Sequence, residues 1–415
     1  MSVDRQFGSS AGSLDGYLEQ QLERLRTEGL FRDPNDAGAR RVVLGRGGDG
    51  AEGLDATSND YLGLAAQRVS VSRETVDAGR LSTDWVPSGP GCRAGAGASR
   101  LVQGTWPEHE ELERALASWV GLPAALLFNS GFAANSGTVA ALADADSVVL
   151  SDQFNHASIV DGCRLSRAQV AVIPHLNLAA LETALVRSAA FRVRWVVTES
   201  YFSMDGDGAD LSVLRALCDR HRAFLVVDEA HALGVFGPRG AGRCAEAKVK
   251  PDVLVGTLGK AIGTEGAFVA GSEALRTWLW NRARSFVFST APSPATCALT
   301  LSHVKQVVAS EAARSAVLEN AKRLRQHLED AGISLVPGSF GPIVSIVVGT
   351  NDAALGLADQ LRGEGILVQP IRPPTVPEGF ARIRVTVSAR LSGGDVDRLA
   401  RALVRGWKQT CGGSS

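Results

Sequence analysis

From about residue 100 to residue 271 the chain alternates short apolar runs with longer amphipathic ones, and this rhythm restricts the fold more than any other feature. "ELERALASWVGL", "GFAANSGTVAAL", "LAALETALVRSA" and "LSVLRALCDRHR" have helical periodicity; "AALLF", "SVVLS", "VRWVVTE", "AFLVVDEAH", "DVLVGTLG" and "GAFVAGS" have the length and texture of strands. Strands that are apolar throughout have no face to give to water. They imply a mostly parallel sheet covered on both sides by the intervening helices, an α/β fold whose ligands gather beyond the strands' carboxyl ends.

A chain of 415 residues exceeds one core of ordinary size. After about residue 300 the texture changes to long helices ("AARSAVLENAKRLRQHLEDAG") and sparser strands ("PIVSIVVG", "ILVQPIRPPTV", "RIRVTVSAR"), as in a smaller α+β domain. The expected division is an amino-terminal helix and lead-in over 1–57, a large domain over 58–300 and a smaller carboxyl-terminal domain over 301–415. In the lead-in, Leu14, Tyr17, Leu18, Leu22 and Leu25 recur at helical steps behind Ser13, predicting an amphipathic helix that packs on something larger. Residues 33–53 read as turns around a short strand, and the tail "TCGGSS" as a frayed end.

The net charge of −1 speaks against a basic face for nucleic acid or anionic membrane. No 18-residue apolar run occurs and the polar first residues contain no apolar signal segment, so a cytoplasmic protein is expected. Cys92, Cys163, Cys218, Cys244, Cys297 and Cys411 lie far apart with no C-x-x-C pair, which suits a reducing compartment and points to no metal site.

Three polar clusters follow predicted strands and, in a parallel sheet, open on one edge: "FNSGFAAN", "DEAHALG" and "TLGKAIG". The first has the strand–turn–helix form in which N–H groups near Ser130, Gly131 and Phe132 can hold a phosphate, although the same small residues make an ordinary turn. Asp228, three residues before His231, reads alone as a helix cap or as a metal ligand without further ligands nearby. Lys260 beside Gly259 reads as a surface lysine or as an amine left open to something large. Together the three supply a Schiff-base amine, a carboxylate for a pyridine nitrogen and a phosphate cradle, the handles of pyridoxal 5′-phosphate (PLP).

With "SNDYLGLA", "SRLVQGTWPEHEELE", "NSGFAAN", "NHASIVDGCRLSRA", "TESYFSMDGD", "VVDEAHALGVFGPRGAG", "TLGKAIGTEGAFVAGS" and "IRVTVSA" in that order, the sequence resembles the α-oxoamine synthases among the fold-type I PLP enzymes. The resemblance implies that Lys260 forms the Schiff base, Asp228 faces the pyridinium nitrogen and His156 stacks on the ring. It places His231 and Ser203 near the phenolic oxygen, and Thr257 with the backbone of Gly131 and Phe132 at the phosphate. Ser289 and Thr290 would reach the phosphate of the neighbouring subunit's cofactor, making the active site the property of a homodimer. Asn59 would lie near the reacting lysine and substrate, and Arg384 would grip the amino-acid carboxylate.

The family condenses an amino acid with an acyl thioester and releases carbon dioxide and the thiol carrier. "IRPPTVPEGFARIRVT" looks most like the members that join L-alanine to a pimeloyl group carried on coenzyme A or an acyl carrier protein; Arg372 is placed to meet the distal carboxylate, or is a turn residue beside prolines. Glycine C-acetyltransferase is the nearest alternative, and a non-catalytic member of the fold a more distant one. Two departures bear on the acyl group: Trp106 stands where relatives commonly carry a histidine, and the run before Ser99, from residue 84, is longer and richer in glycine and proline than usual.

Overall fold

The computed structural model describes residues 14–28, 31, 53–65, 67, 93–373 and 375–410. The strand expected within 33–53, residues 84–92 of the glycine- and proline-rich run, and the tail after 410 lie outside the described residues. In chain order the elements are α1 (Leu14–Thr27), β1 (Leu54–Asp55), α2 (Pro107–Val120), β2 (Ala124–Phe128), α3 (Gly131–Leu142), β3 (Ser147–Asp152), α4 (Ala157–Ser166), β4 (Gln169–Ile173), α5 (Leu178–Arg187), β5 (Val193–Glu199), α6 (Leu211–Arg220), β6 (Phe224–Asp228), β7 (Val253–Thr257) and β8 (Ala267–Gly271). There follow α7 (Glu273–Arg282), α8 (Pro294–Ala309), α9 (Glu311–Asp330), β9 (Ile343–Gly349), α10 (Asn351–Gly363), β10 (Ile366–Leu367), β11 (Gln369–Ile371), β12 (Ala381–Thr386) and α11 (Gly393–Thr410).

Seven strands form the large sheet in the order β2, β8, β7, β6, β5, β3, β4. Only β8 runs against its neighbours, so β2 points the same way as β3, β5, β6 and β7, and their carboxyl ends share one edge. The unbroken apolar runs serve both faces. Leu150, Val196, Val227 and Leu254 enter one core, while their chain neighbours Val149, Val197, Val226 and Val255 enter the other. Each such side chain removed from water contributes about 1.5–3 kcal/mol. The sequence reading passes over β4 although "VAVI" within it is apolar; as the sheet's outer strand it leaves Val170 and Val172 exposed.

Side-chain caps start the helices: Ser130 accepts from Ala133 N–H, Asn177 from Ala180 and Asp210 from Ser212 and Val213. Helices α3 and α4 meet across small residues. A Cβ on Gly162 would stand 2.9 Å from Val139 Cβ and 3.1 Å from Ser136 Cα.

The smaller unit is an antiparallel sheet in the order β11, β12, β9. Behind it, Val344, Ile346, Ile383 and Val385 pack with Leu324, Leu328, Leu357, Leu361, Leu399 and Leu403. β1 pairs in parallel with β10, and Leu54 and Ala56 join this same core. Alternation along β12 sends Ile383 and Val385 into that core and turns Arg382 and Arg384 to the large domain. Helix α1 forms where expected, but Leu18, Leu22 and Leu25 are exposed, so the expected packing on a larger body is not seen among the described residues. Among the described residues no helix is long and apolar enough to cross a membrane.

Candidate active site

Where β6 ends, Asp228 is 5% exposed, and both carboxylate oxygens are engaged: Oδ2 accepts from Asn135 Nδ2 at 2.7 Å and Oδ1 from Ala230 N–H at 2.8 Å. Asn135 lies one turn into α3 and also donates to Ser158 Oγ at 3.1 Å, so the helix that starts with Gly131 positions the acid. Glu199 ends the adjacent strand in register with Asp228 and accepts from His156 N–H at 2.7 Å. Burial and the neighbouring Asp228 push the Glu199 carboxyl up to about 8, against the pull of Lys260.

Lys260 follows β7 in the turn that reverses the chain into β8. Removal from water lowers its amine to about 8; the charges of Asp228 and Glu199 oppose the drop, and Arg384 adds to it. The turn rests on the "SNDYLGLA" segment. Gly263 has φ +72°, and a Cβ there would stand 2.4 Å from Ala65 N and 2.8 Å from the Leu64 carbonyl carbon, so only glycine satisfies both backbone and space.

His156, at the surface as a residue, caps α4, and its ring Nδ1 pairs with Ser158 Oγ at 2.7 Å. Burial of the nitrogen lowers its pKa, with Asp228 opposing and Lys260 assisting. His231 is 6% exposed and receives Tyr61 Oη at Nδ1 at 2.8 Å. Burial first, then Lys260, Arg384 and His156, hold it well below the usual imidazole range.

At the amino end of α3 the first intrahelical bond is made by Ala134, and Ser130 Oγ takes Ala133 N–H, which leaves the N–H groups of Gly131 and Phe132 ahead of the bonded turn. Thr257 closes that space: its Oγ1 lies 3.8 Å from where a Cβ of Gly131 would be. Arg384, 5% exposed, donates through Nη2 to Asn59 Oδ1 at 2.8 Å, and among the described residues its buried Nε meets no acceptor. A buried guanidinium with an unspent N–H is suited to an incoming carboxylate.

The fold therefore brings Lys260, Asp228, His156, His231 and Arg384 within one another's electrostatic reach, with Asn59 on the arginine and Thr257 facing Gly131. Ser203 occupies the turn after β5, and among the described residues no hydrogen bond joins it to His231. Thr290 bridges Ser99, and its carbonyl accepts from Asn129 Nδ2 at 2.9 Å, which sets the 289–290 segment beside the β2–α3 turn of its own chain. Arg372 is half-buried past the end of β11; since Gln369 pairs with Arg384, it lies about 10 Å further along the strand. Trp106 caps α2, its N–H donating to His109 Nδ1 at 3.0 Å, while Arg93 covers its indole at 3.9 Å.

Glu199, Asn135 and Tyr61 are the participants that motif reading leaves unassigned. An acid closing the apolar run "VRWVVTE" was the available signal for Glu199; nothing local marks the other two, whose partners lie 93 and 170 residues away.

Comparison with known proteins places the chain among relatives along nearly its whole length. The chain is 41% identical over 394 residues to the 8-amino-7-oxononanoate synthase of Marinobacter nauticus, covering 93% of this chain and 95% of the relative. It is 44% identical over 395 residues to that of Anaeromyxobacter dehalogenans, covering 94% and 95%. A solved structure of SPT with its PLP internal aldimine superposes with a TM-score of 0.78 at 26% identity, covering 87% of this chain and 89% of that one. Residues 52–403 match the family described as aminotransferase class I and II, and the chain belongs to that family.

Proposed function

We propose that the protein is a PLP-dependent acyltransferase that condenses L-alanine with a pimeloyl thioester, releasing 8-amino-7-oxononanoate, carbon dioxide and the free thiol carrier, coenzyme A or acyl carrier protein. The observation that carries the chemistry is the half-buried Lys260, its amine under the charge of Asp228, with the unspent Nε of Arg384 close by. The relatives named above support the choice of substrates.

The residues fit the cofactor. The Gly131–Thr257 space and the unbonded N–H groups of α3 suit a phosphate, Asp228 suits a pyridinium nitrogen, and an amine near 8 is neutral often enough to attack an aldehyde. When bound, PLP supplies an electron sink for the pair left at the amino-acid Cα. Lys260 would hold the cofactor through Nζ, and its amine, once free, would take the Cα proton and return one. Asp228 keeps a proton on the ring nitrogen by its charge, held in place by Asn135. His156 covers the ring face. Arg384 holds the alanine carboxylate in one orientation, aiming the Cα–H bond at Lys260. His231 and Ser203 would serve the phenolic oxygen, and Arg372 would meet the distal carboxylate of the acyl chain.

We also propose a twofold dimer in which Ser289 and Thr290 serve the partner's phosphate site. Exposed Phe288 and Val102, flanking the Ser99–Thr290 bridge, give that segment an apolar surface to cover.

Mass spectrometry of the PLP-loaded protein with L-alanine and pimeloyl-CoA or pimeloyl-acyl carrier protein tests the reading. The amino ketone is expected, and its loss in Lys260→Ala. Turnover of glycine with acetyl-CoA in place of the pimeloyl reaction would overturn the substrate assignment.

A further inference from the structure

We infer that Tyr61 is a positioning residue that fixes the ring tautomer of His231, with Nδ1 accepting the phenol proton and Nε2 carrying the hydrogen that faces the site. The geometry begins with a phenol that is 0% exposed and 2.8 Å from the imidazole Nδ1. The positive charge of the nearby Arg384 guanidinium, itself tied to Asn59 Oδ1 at 2.8 Å, also acts on the phenol.

Donor and acceptor capacities settle the direction. A guanidinium only donates, and its positive charge favours the lone pairs of the phenol oxygen, so the phenol hydrogen turns elsewhere. Nδ1 is the acceptor within reach. The opposite tautomer, Nδ1–H donating to the phenol, would leave the phenol hydrogen buried with no acceptor among the described residues. Burial keeps Tyr61 in its protonated form despite the guanidinium, which removes the phenolate alternative. The imidazole is neutral because burial and the flanking Lys260, Arg384 and His156 disfavour a second proton. A neutral ring that accepts at Nδ1 bears its hydrogen on Nε2.

Tyr61 and His231 thus form one hydrogen-bonded pair and Asn59 and Arg384 another, with the guanidinium's charge felt by both phenol and imidazole. The tautomer stands on this geometry alone; that Nε2–H donates to the phenolic oxygen of PLP rests on the function proposed above.

The test is long-range ¹H–¹⁵N spectroscopy of full-length protein labelled in its 7 histidines, with His231 assigned by its loss in His231→Asn. The wild type is expected to show a pyridine-like Nδ1 and a pyrrole-like Nε2 across neutral pH. Tyr61→Phe, which fills the same volume, is expected to lower the preference for that tautomer about fivefold, the worth of one neutral hydrogen bond. A pyrrole-like Nδ1 in the wild type overturns the inference, and so does an unchanged tautomer in a folded Tyr61→Phe. If Tyr61→Phe does not fold, the wild-type spectrum decides. With PLP bound, the pH midpoint of the cofactor's absorbance is expected to move in Tyr61→Phe. An unmoved midpoint beside an altered tautomer overturns the cofactor-facing half and leaves the proposed function standing.

Discussion

Glu199 and Asp228 end adjacent strands in register, and Lys260 approaches both. Two carboxylates side by side in a dry site are costly, and Glu199, raised to about 8, is the one that takes up a proton at neutral pH. A neutral isostere should then be tolerated. Glu199→Gln is expected to keep turnover within about threefold of wild type at pH 7, an acid-to-amide change worth under ~1 kcal/mol. Glu199→Ala, which frees the backbone N–H of His156 from its 2.7 Å bond, should lose far more; steady-state kinetics of both variants check this. Arg384→Ala removes a buried bidentate donor and should raise the KM for alanine roughly 50-fold, a charge-assisted pair being worth about 1.5–3 kcal/mol, while PLP affinity changes much less. Equal loss of both would put the arginine in another role. Lys260, Asp228, His156 and Arg384 were legible because each stands in a motif at or near a strand end. Tyr61 was not, because its meaning comes from a contact 170 residues away.

Between the strands, the loops that present these side chains are held by His175, just after β4. Its Nδ1 meets Asp152 Oδ1 at 2.7 Å and its Nε2 meets Asp207 Oδ2 at 3.0 Å. Asp152 also accepts from Phe154 N–H at 2.8 Å and Leu176 N–H at 3.0 Å, and Phe154 lies over the imidazole at 4.4 Å. The loop leading to His156 and the loop carrying Ser203 are thereby joined. Burial lowers this histidine's pKa, but the hydrogen bonds and charges of Asp152 and Asp207 outweigh it and lift the value from 6.5 to about 9. A raised value means that the folded form binds the proton more tightly. The stabilisation is complete below pH 6.5 and fades as pH rises through about 9. In thermal melts, His175→Leu should therefore fall further below wild type at pH 6 than at pH 9.5; a gap independent of pH would mean that the ring acts by packing alone. The loop clamp escaped sequence reading together with β4, since nothing local ties the histidine after "VAVI" to acids 23 and 32 residues away.

At the scale of the molecule, the two cores meet through β12. Arg382 pairs with Asp205 from the loop after β5, both almost fully buried, and Arg384 reaches Asn59 from the segment after β1. Asp205→Ala would leave a guanidinium enclosed without its carboxylate and should cost about 3–5 kcal/mol in denaturant unfolding. The parallel sheet and the α+β character of the last hundred residues followed from apolar texture, whereas which face of "ARIRVT" met the large domain depended on tertiary register. The junction at Gly263 sets a boundary for anyone wishing to retarget the acyl preference. With the Ala65 nitrogen 2.4 Å from where any other side chain would begin, position 263 is closed to diversification. A library built around Arg372 and its prolines leaves the footing of the reactive amine undisturbed.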